Sequence, residues 1–323
     1  MAFQCFKPKR FGADSLELIE VCNEIINEYL VDGYQLTTRQ LYYQLVAKDL
    51  IPNNVKSYSR IKNLINDARV AGVMDWDAIV DRGRSVLTPN TWDIPYRILK
   101  AVAENFRIDH WEYQPCTVLV MCEKQALEGI LYPATHHWGI PYVSNKGYAS
   151  VSLLYKIGQN LKKHALNERK SVRVLYFGDH DPSGLDMDRD VADRLQMFSE
   201  ATYETPSVTV TRVALTQEQI QELNPPPNPA KETDSRAKEY QSKYGTFSWE
   251  LDAIEPKKLV GLLDSWVEFI LFDEGGGSKE IWEATQQLEK EMLEELKSFP
   301  DKSDTGKWAK QIDKVYDLRY EAL

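Results

Sequence analysis

Two aspartates, Asp179 and Asp181, follow a short apolar run, Val174-Leu175-Tyr176-Phe177, and a single glycine, Gly178. The run reads as a buried strand, Pro182 and Gly184 force a turn, and Leu185 to Leu195 reads as a helix. Residues two apart on extended backbone point to one side, so these carboxylates can converge on a single point. Such a pair at the end of a buried strand is costly unless a positive charge neutralises it. A hard, oxygen-preferring cation such as Mg²⁺ suits them, with Mn²⁺ as a substitute. The same residues also fit an Asp-Pro turn whose aspartates cap the following helix. A third acid, Glu123, ends a second apolar run, TVLVMCEK.

The elements around these acids alternate. After TVLVMCEK come a helix over Gln125 to Leu131, a strand near Ile140 to Val143, the Gly-containing loop NKGYAS, and a helix over Val151 to Lys163. The strand before Asp179 and its helix follow, then a strand in SVTVTRVAL ending near Ala214. Alternation of this kind predicts a parallel sheet with helices on both faces and its active groups beyond the C-terminal strand ends. Glu123 and the Asp179–Asp181 pair both fall there. His180, between the aspartates, is expected in a solvent-facing loop. Further on, NPPPNPAKETD reads as a loop and SWELDAIEP as a strand-like position carrying Glu250 and Asp252. Lys257 to Leu271 reads as helix, the glycines from Gly275 to Gly277 as a break, and the rest as two charged helices.

Upstream, the pattern is helical. Asp14 is expected to cap a helix running to about Leu30. Thr37 followed by Gln40 is a capping-box signature, so a second helix begins there, with Leu41 and Leu45 facing a core and Arg39 stacked one turn below Tyr43. A third helix runs from about Ser57 to Val70, and MDWDAIVDRGRSVL reads as a strand pair or wing. Between Gln35 and Gly72 there are six basic and two acidic residues, a +4 window in a chain of net charge -10. Three short helices, a basic face and a trailing ribbon predict a winged-helix module that places Lys56, Arg60, Lys62 and Arg69 on double-stranded DNA; a helical cap that merely packs on the larger domain fits the same pattern.

With 323 residues, 43% hydrophobic and 27% charged, the chain can bury more than one core. No apolar run approaches the roughly 20 residues that span a bilayer, and the N-terminal MAFQCFKPKRFG predicts no signal peptide. Cys5, Cys22, Cys116 and Cys122 lack metal-site or disulfide spacing and read as free thiols in a reducing, cytoplasmic setting.

A glutamate after one strand and D-x-D after another is the arrangement of the Toprim domain. CEKQALEGIL, NKGYASVSLL and VLYFGDHDPSGLDM, in that order, resemble three motifs of the A subunit of topoisomerase VI and its meiotic double-strand-break relatives, and TTRQLYYQL resembles the helix that carries that family's tyrosine. The four blocks span roughly the first two thirds of the chain. The resemblance implies a winged helix over 1–110, a Toprim domain over 111–272 and a helical extension over 273–323. It implies Tyr43 as nucleophile with Arg39 beside it, Glu123, Asp179 and Asp181 as Mg²⁺ ligands, and Lys124 and Lys146 at the DNA phosphates. It further implies a homodimer, in which the tyrosine of one subunit meets the acids of the other, and a 5′-phosphotyrosyl product. No ATPase signature is present, so strand passage requires a separate subunit. Tyr42 adjoins Tyr43; the spacing from Arg39 favours Tyr43. Two alternatives stand beside this one: a Toprim nuclease that hydrolyses DNA with metal-bound water, for example against plasmids or phage, and a non-enzymatic winged-helix DNA-binding protein.

Overall fold

The computed structural model describes residues 3–80, 89–92, 95–145, 147–162, 170–199, 208–229, 234–272 and 277–298. Lys146, the 81–87 part of the expected wing and the last of the C-terminal segments lie outside them.

Helix α1 (Ala13–Val31) starts after Gly12, which makes no side-chain cap; Asp14, expected as that cap, sits in the first turn, where a negative charge meets the positive end of the helix dipole. Helix α2 (Thr38–Ala47) opens on the expected capping box, with Thr37 Oγ1 accepting the Gln40 N–H and Gln40 Oε1 accepting the Thr37 N–H. Asn54 caps α3 (Val55–Val70). Ile19, Cys22, Ile25, Leu41, Leu45, Ile61 and Ile65 fill one core beneath these helices. In place of a described strand pair after α3, residues 36 and 79 form a single parallel bridge.

Helix α4 (Pro95–Asn105) is followed by β1 (Cys116–Cys122), α5 (Glu128–His137), β2 (Tyr142–Ser144), α6 (Val151–Lys162), β3 (Ser171–Phe177), α7 (Gly184–Ser199) and β4 (Val208–Ala214). The four strands form one parallel sheet in the order β2-β1-β3-β4. On one face Leu119, Met121, Val172, Val174 and Tyr176 pack with Leu154 of α6 and Met187, Val191 and Leu195 of α7. The alternate residues Val118, Val120, Leu175 and Phe177 are buried as well. Burial on both faces is why these strands read as unbroken apolar runs.

Next come α8 (Gln217–Leu223), the two-residue strand β5 (Asn228–Pro229), α9 (Ala237–Tyr244), β6 (Phe247–Ser248), which pairs with β5, α10 (Pro256–Phe272) and α11 (Lys279–Ser298). Helix α10 packs against α5 and β4. Glu250 and Asp252 lie in and beside a 3-10 turn over Leu251–Ala253, not on a strand, because the sheet hydrogen bonding ends at Trp249.

Met1–Arg84 and Pro115–Gly277 form one compact unit, and Ser85–Gln114 with Ser278–Leu323 form another. In the second, His110 Nε2 lies 2.9 Å from Glu289 Oε2 and its ring meets Trp282 edge-on. No described helix is long and apolar enough to cross a membrane.

Candidate functional site

The order β2-β1-β3-β4 has one topological switch point, between β1 and β3. The chain leaves β1 toward β2 on one side and returns for β3 on the other, which opens a crevice at the C-terminal strand ends. Glu123 follows β1 directly, its N–H donating to Phe177 O at 2.9 Å. Across the crevice its Oε2 accepts the N–H of Asp179 at 3.0 Å. Gly178 makes this approach possible: a Cβ there would lie 2.7 Å from the Tyr176 ring and 2.9 Å from Glu123 Oε2. Both carboxylates are buried. Burial, and then the Asp179 and Asp181 charges, push the Glu123 carboxyl well above the usual range.

Lys124 supplies the nearest compensation. Its ammonium lies 2.9 Å from Asp179 Oδ2, 3.0 Å from Glu250 Oε2 and 3.2 Å from Asp252 Oδ2. The second Asp179 oxygen, Oδ1, accepts the Leu251 N–H at 2.7 Å. Burial alone would lower the Lys124 pKa, but Asp179, Asp252 and Glu250 together raise it well above its ordinary value. Burial likewise works to raise Glu250, and Lys124 and Arg39 outweigh it and keep this carboxylate low.

Arg39 carries the network into the helical half of the same unit. Its guanidinium pairs with Glu250, reaches Asp252 Oδ2 at 3.5 Å and lies 5.8 Å from the centre of the Tyr43 ring. An unbroken series of charges therefore joins Tyr43 to the strand-end acids: Arg39, Glu250, Lys124, Asp179, Glu123. Tyr43 borders a cleft of about 410 Å³ lined also by Arg39, Tyr42, Asn53, Val55, Tyr58, Asn228 and Glu250. Burial, and then the Glu250 charge, raise the Tyr43 hydroxyl pKa; Asn228 and Arg39 act against them. The two adjacent tyrosines differ in their bonding. Tyr42 Oη accepts the Asn54 N–H at 2.9 Å and donates to Asn53 Oδ1 at 2.9 Å, which ties it to the α2–α3 turn. Tyr43 Oη accepts from Asn228 Nδ2 at 3.1 Å, and the residue, although buried, borders the cleft.

Asp181 does not join Glu123 and Asp179 in the expected way. The strand ends at Phe177, so the side-to-side alternation that would align residues 179 and 181 no longer holds. Asp181 Oδ1 instead accepts from Ser183 Oγ at 2.9 Å and from the Gly184 N–H at 2.6 Å, capping α7. Gly184 is tied to the same turn, since a Cβ there would collide with the Asp179 carbonyl. Among the described residues no three His, Cys, Asp or Glu side chains are grouped to hold a metal ion. The residue types suit Mg²⁺ and this arrangement does not. For Glu123, Asp179 and Asp181 to share an ion, Lys124 must leave Asp179 and Asp181 must leave its cap.

His180 is buried, not solvent-facing. Its backbone pairs with Trp249 in both directions, at 2.9 and 3.0 Å, and its Nδ1 lies 2.8 Å from Tyr240 Oη. Tyr240 Oη also lies 2.8 Å from His180 O, so one hydroxyl holds both the ring and the backbone of His180. This bridge fastens the Asp179 loop to the Glu250–Asp252 segment. Arg212 of β4 fastens its other side, donating to Gly178 O and Asp179 O at 3.1 Å and to Gly184 O at 2.6 Å. Burial, then the Arg212 charge, pull His180 from 6.5 down to about 4. The unfolded chain therefore takes up a proton near pH 6.5 that the fold refuses until about pH 4, and stability falls as the pH drops through this window. At about 1.4 kcal/mol per unit, the loss approaches ~3 kcal/mol. Urea unfolding at about pH 7 and about pH 4.5 should show it as a difference between wild type and His180→Asn, which keeps an amide for Tyr240, because Glu123, held well above the usual carboxylate range, gains stability as the pH falls and offsets the loss within the wild type.

Of the basic residues expected on DNA, Lys56, Arg60 and Lys62 are exposed on α3. Lys56 and Arg60, four apart, share a face, whereas Lys62 is turned about 160° from Arg60. Arg69 is not available in the same way: its guanidinium stacks 4.7 Å from the centre of the Trp76 ring and donates to Trp76 O at 2.7 Å. Lys124 is engaged by acids. Arg212, Asn228 and the counter-charges Glu250 and Asp252 complete the site, and only the last two were singled out from sequence. No family model matches the chain, and no curated protein is significantly similar to it.

Proposed function

We propose that this chain cleaves double-stranded DNA by transesterification, with Tyr43 as the nucleophile, in the manner of the topoisomerase VI A subunit. The observation that carries the reading is the series of paired and hydrogen-bonded groups in one compact unit that runs from Tyr43, at the edge of the cleft, through Arg39, Glu250 and Lys124 to the switch-point pair Asp179–Glu123. Tyr43 Oη forms a bond to phosphorus, the P–O3′ bond breaks, and the 3′ oxygen leaves with the electron pair and is protonated. The phenolic proton passes to water. Arg39, one turn from Tyr43, favours the phenolate and offers a two-pronged donor to the phosphate oxygens once it leaves Glu250. The product is a 5′-phosphotyrosyl link, whose bond energy is conserved for religation. One chain carries one such tyrosine, so two copies are needed to cut both strands; the series joins Tyr43 to the acids of its own chain, where the family resemblance implies those of a partner.

A second reading has its own support. Burial and Glu250 hold Tyr43 protonated, which withholds a phenolate and suits a hydrolytic nuclease in which water attacks phosphorus and Tyr43 only packs. One experiment divides them. Supercoiled plasmid is incubated with the protein, with Mg²⁺ and with chelator, then denatured in detergent. Transesterification leaves protein covalently on nicked or linear DNA; free ends without protein contradict it.

Lys56 and Arg60 are the α3 residues proposed to meet the backbone. Replacing both with alanine should reduce the slope of log K against log salt by about 2, and Lys62→Ala should leave it nearly unchanged. Fluorescence anisotropy of a labelled duplex over a salt series reads both.

A further inference from the structure

The hydrogen bonds around the two tyrosines determine which way every amide points. Asn54 donates its backbone N–H to Tyr42 Oη, and the nearer acceptor for the Tyr42 proton is Asn53 Oδ1 at 2.9 Å, with Asn54 O at 3.3 Å. The Asn53 amide nitrogen must then face the other way, and there it meets Pro227 O, which can only accept, and Asn228 Oδ1, each at 2.8 Å. With its oxygen thus engaged, Asn228 turns its Nδ2 to Tyr43 Oη, as a donor, at 3.1 Å. Asn228 lies in β5, and its pairing with Ser248 of β6 fixes the backbone that presents it. Reversing Asn53 would set its Oδ1 against Pro227 O, and reversing Asn228 would set two amide nitrogens against each other.

We infer that Asn228 is a catalytic residue of this site, donating its amide to the oxygen that attacks phosphorus, and that Asn53 is the positioning residue that aims it. This rests on the reading of Tyr43 as nucleophile. A hydrogen bond donated to a phenolic oxygen favours the phenolate over the phenol, and an amide does so without adding charge that the Glu250 carboxylate could capture. It also directs the phenolic proton away from Asn228 and so leaves it free to depart. The two residues come from opposite parts of the same unit, Asn53 from the α2–α3 turn and Asn228 from the loop after α8, so the donor is in place only when the helical part and the sheet part are assembled.

The test compares wild type, Asn228→Ala, Asn228→Asp and Asn53→Ala for covalent adduct formation on supercoiled plasmid across a pH series, with melting temperature and duplex binding measured in parallel. Asn228→Asp has nearly the same shape but offers an acceptor, so it should form adduct at least 10-fold more slowly than Asn228→Ala near pH 7, with its rise displaced about one unit upward. Asn228→Ala should itself be about 10- to 100-fold slower than wild type, and Asn53→Ala should move in the same direction by less. Duplex binding should not change. Equal rates and unshifted pH profiles in all four proteins overturn the inference while leaving Tyr43 as nucleophile. Nicking by wild type with no adduct overturns both. Should Asn228→Ala fail to fold, the comparison of Asn228→Asp with wild type still decides.

Discussion

Lys124→Met should cost about 3–5 kcal/mol of stability, the largest loss expected from any single change at this site. The ammonium is the shared partner of Asp179, Glu250 and Asp252 at 2.9 to 3.2 Å, and only 14% of its side chain is exposed. Methionine fills a similar volume, so packing changes little and the effect isolates charge. Without Lys124, the Asp179 carboxylate loses its ion-pair partner beside Glu123, and Arg39 on the far side of Glu250 is the remaining positive group in the series. The exposed ion pairs elsewhere offer a contrast. Lys243 with Glu239 and Lys279 with Glu283 lie on solvated helix faces, where water screens such pairs and their loss is expected to matter little. Adding Asp179→Asn to Lys124→Met should restore a substantial part of the loss, because the stranded charge is then removed. Urea unfolding of the two variants measures both effects. A loss below about 1 kcal/mol for Lys124→Met would show that water already solvates these acids.

Tyr43→Phe should abolish adduct formation, a fall of at least about 10³-fold, and should leave the fold and duplex affinity nearly intact. The ring stays, with its edge-on contact to Tyr42 and the Arg39 guanidinium nearby. What is lost is one oxygen and its bond from Asn228, a stability change of about 1 kcal/mol. Tyr42→Phe should behave oppositely. Its hydroxyl holds Asn53 and Asn54, so its removal loosens the α2–α3 turn and slows the reaction only through the misdirected amides. Gel assays of adduct formation, run beside thermal melts, separate a chemical role from a structural one. Full adduct formation by Tyr43→Phe would remove this residue from the reaction.

Much of the framework was legible because it rests on local rules. Two apolar runs became the central strands β1 and β3, since strands covered on both faces need no polar alternation, while the half-buried β2 and β4 flank them. The capping box at Thr37 and Gln40 marked the start of α2, and the one-turn spacing of Arg39 and Tyr43 did place them together. The turn chemistry of Asp181 was also visible, and the capping alternative is the one it adopts. The charge partners were hidden. Nothing near Arg39 announces Glu250, 211 positions away, and Lys124 lies 128 positions from Asp252; sequence separation of that size leaves no periodic trace. His180 was misjudged for a related reason. A histidine between two aspartates looks hydrated until Tyr240 and Trp249 close over it from the far side of a proline-rich loop. Asn228 sat inside that loop, where polar residues ordinarily signify solvent exposure.

The most direct test of the whole account is to identify the residue that carries DNA. Adduct trapped on supercoiled plasmid is digested with nuclease and protease, and mass spectrometry locates the peptide that bears the nucleotide remnant. The modification is expected on Tyr43, attached through a 5′ phosphate. A remnant on any other residue, or cleaved DNA with no modified peptide, would contradict it.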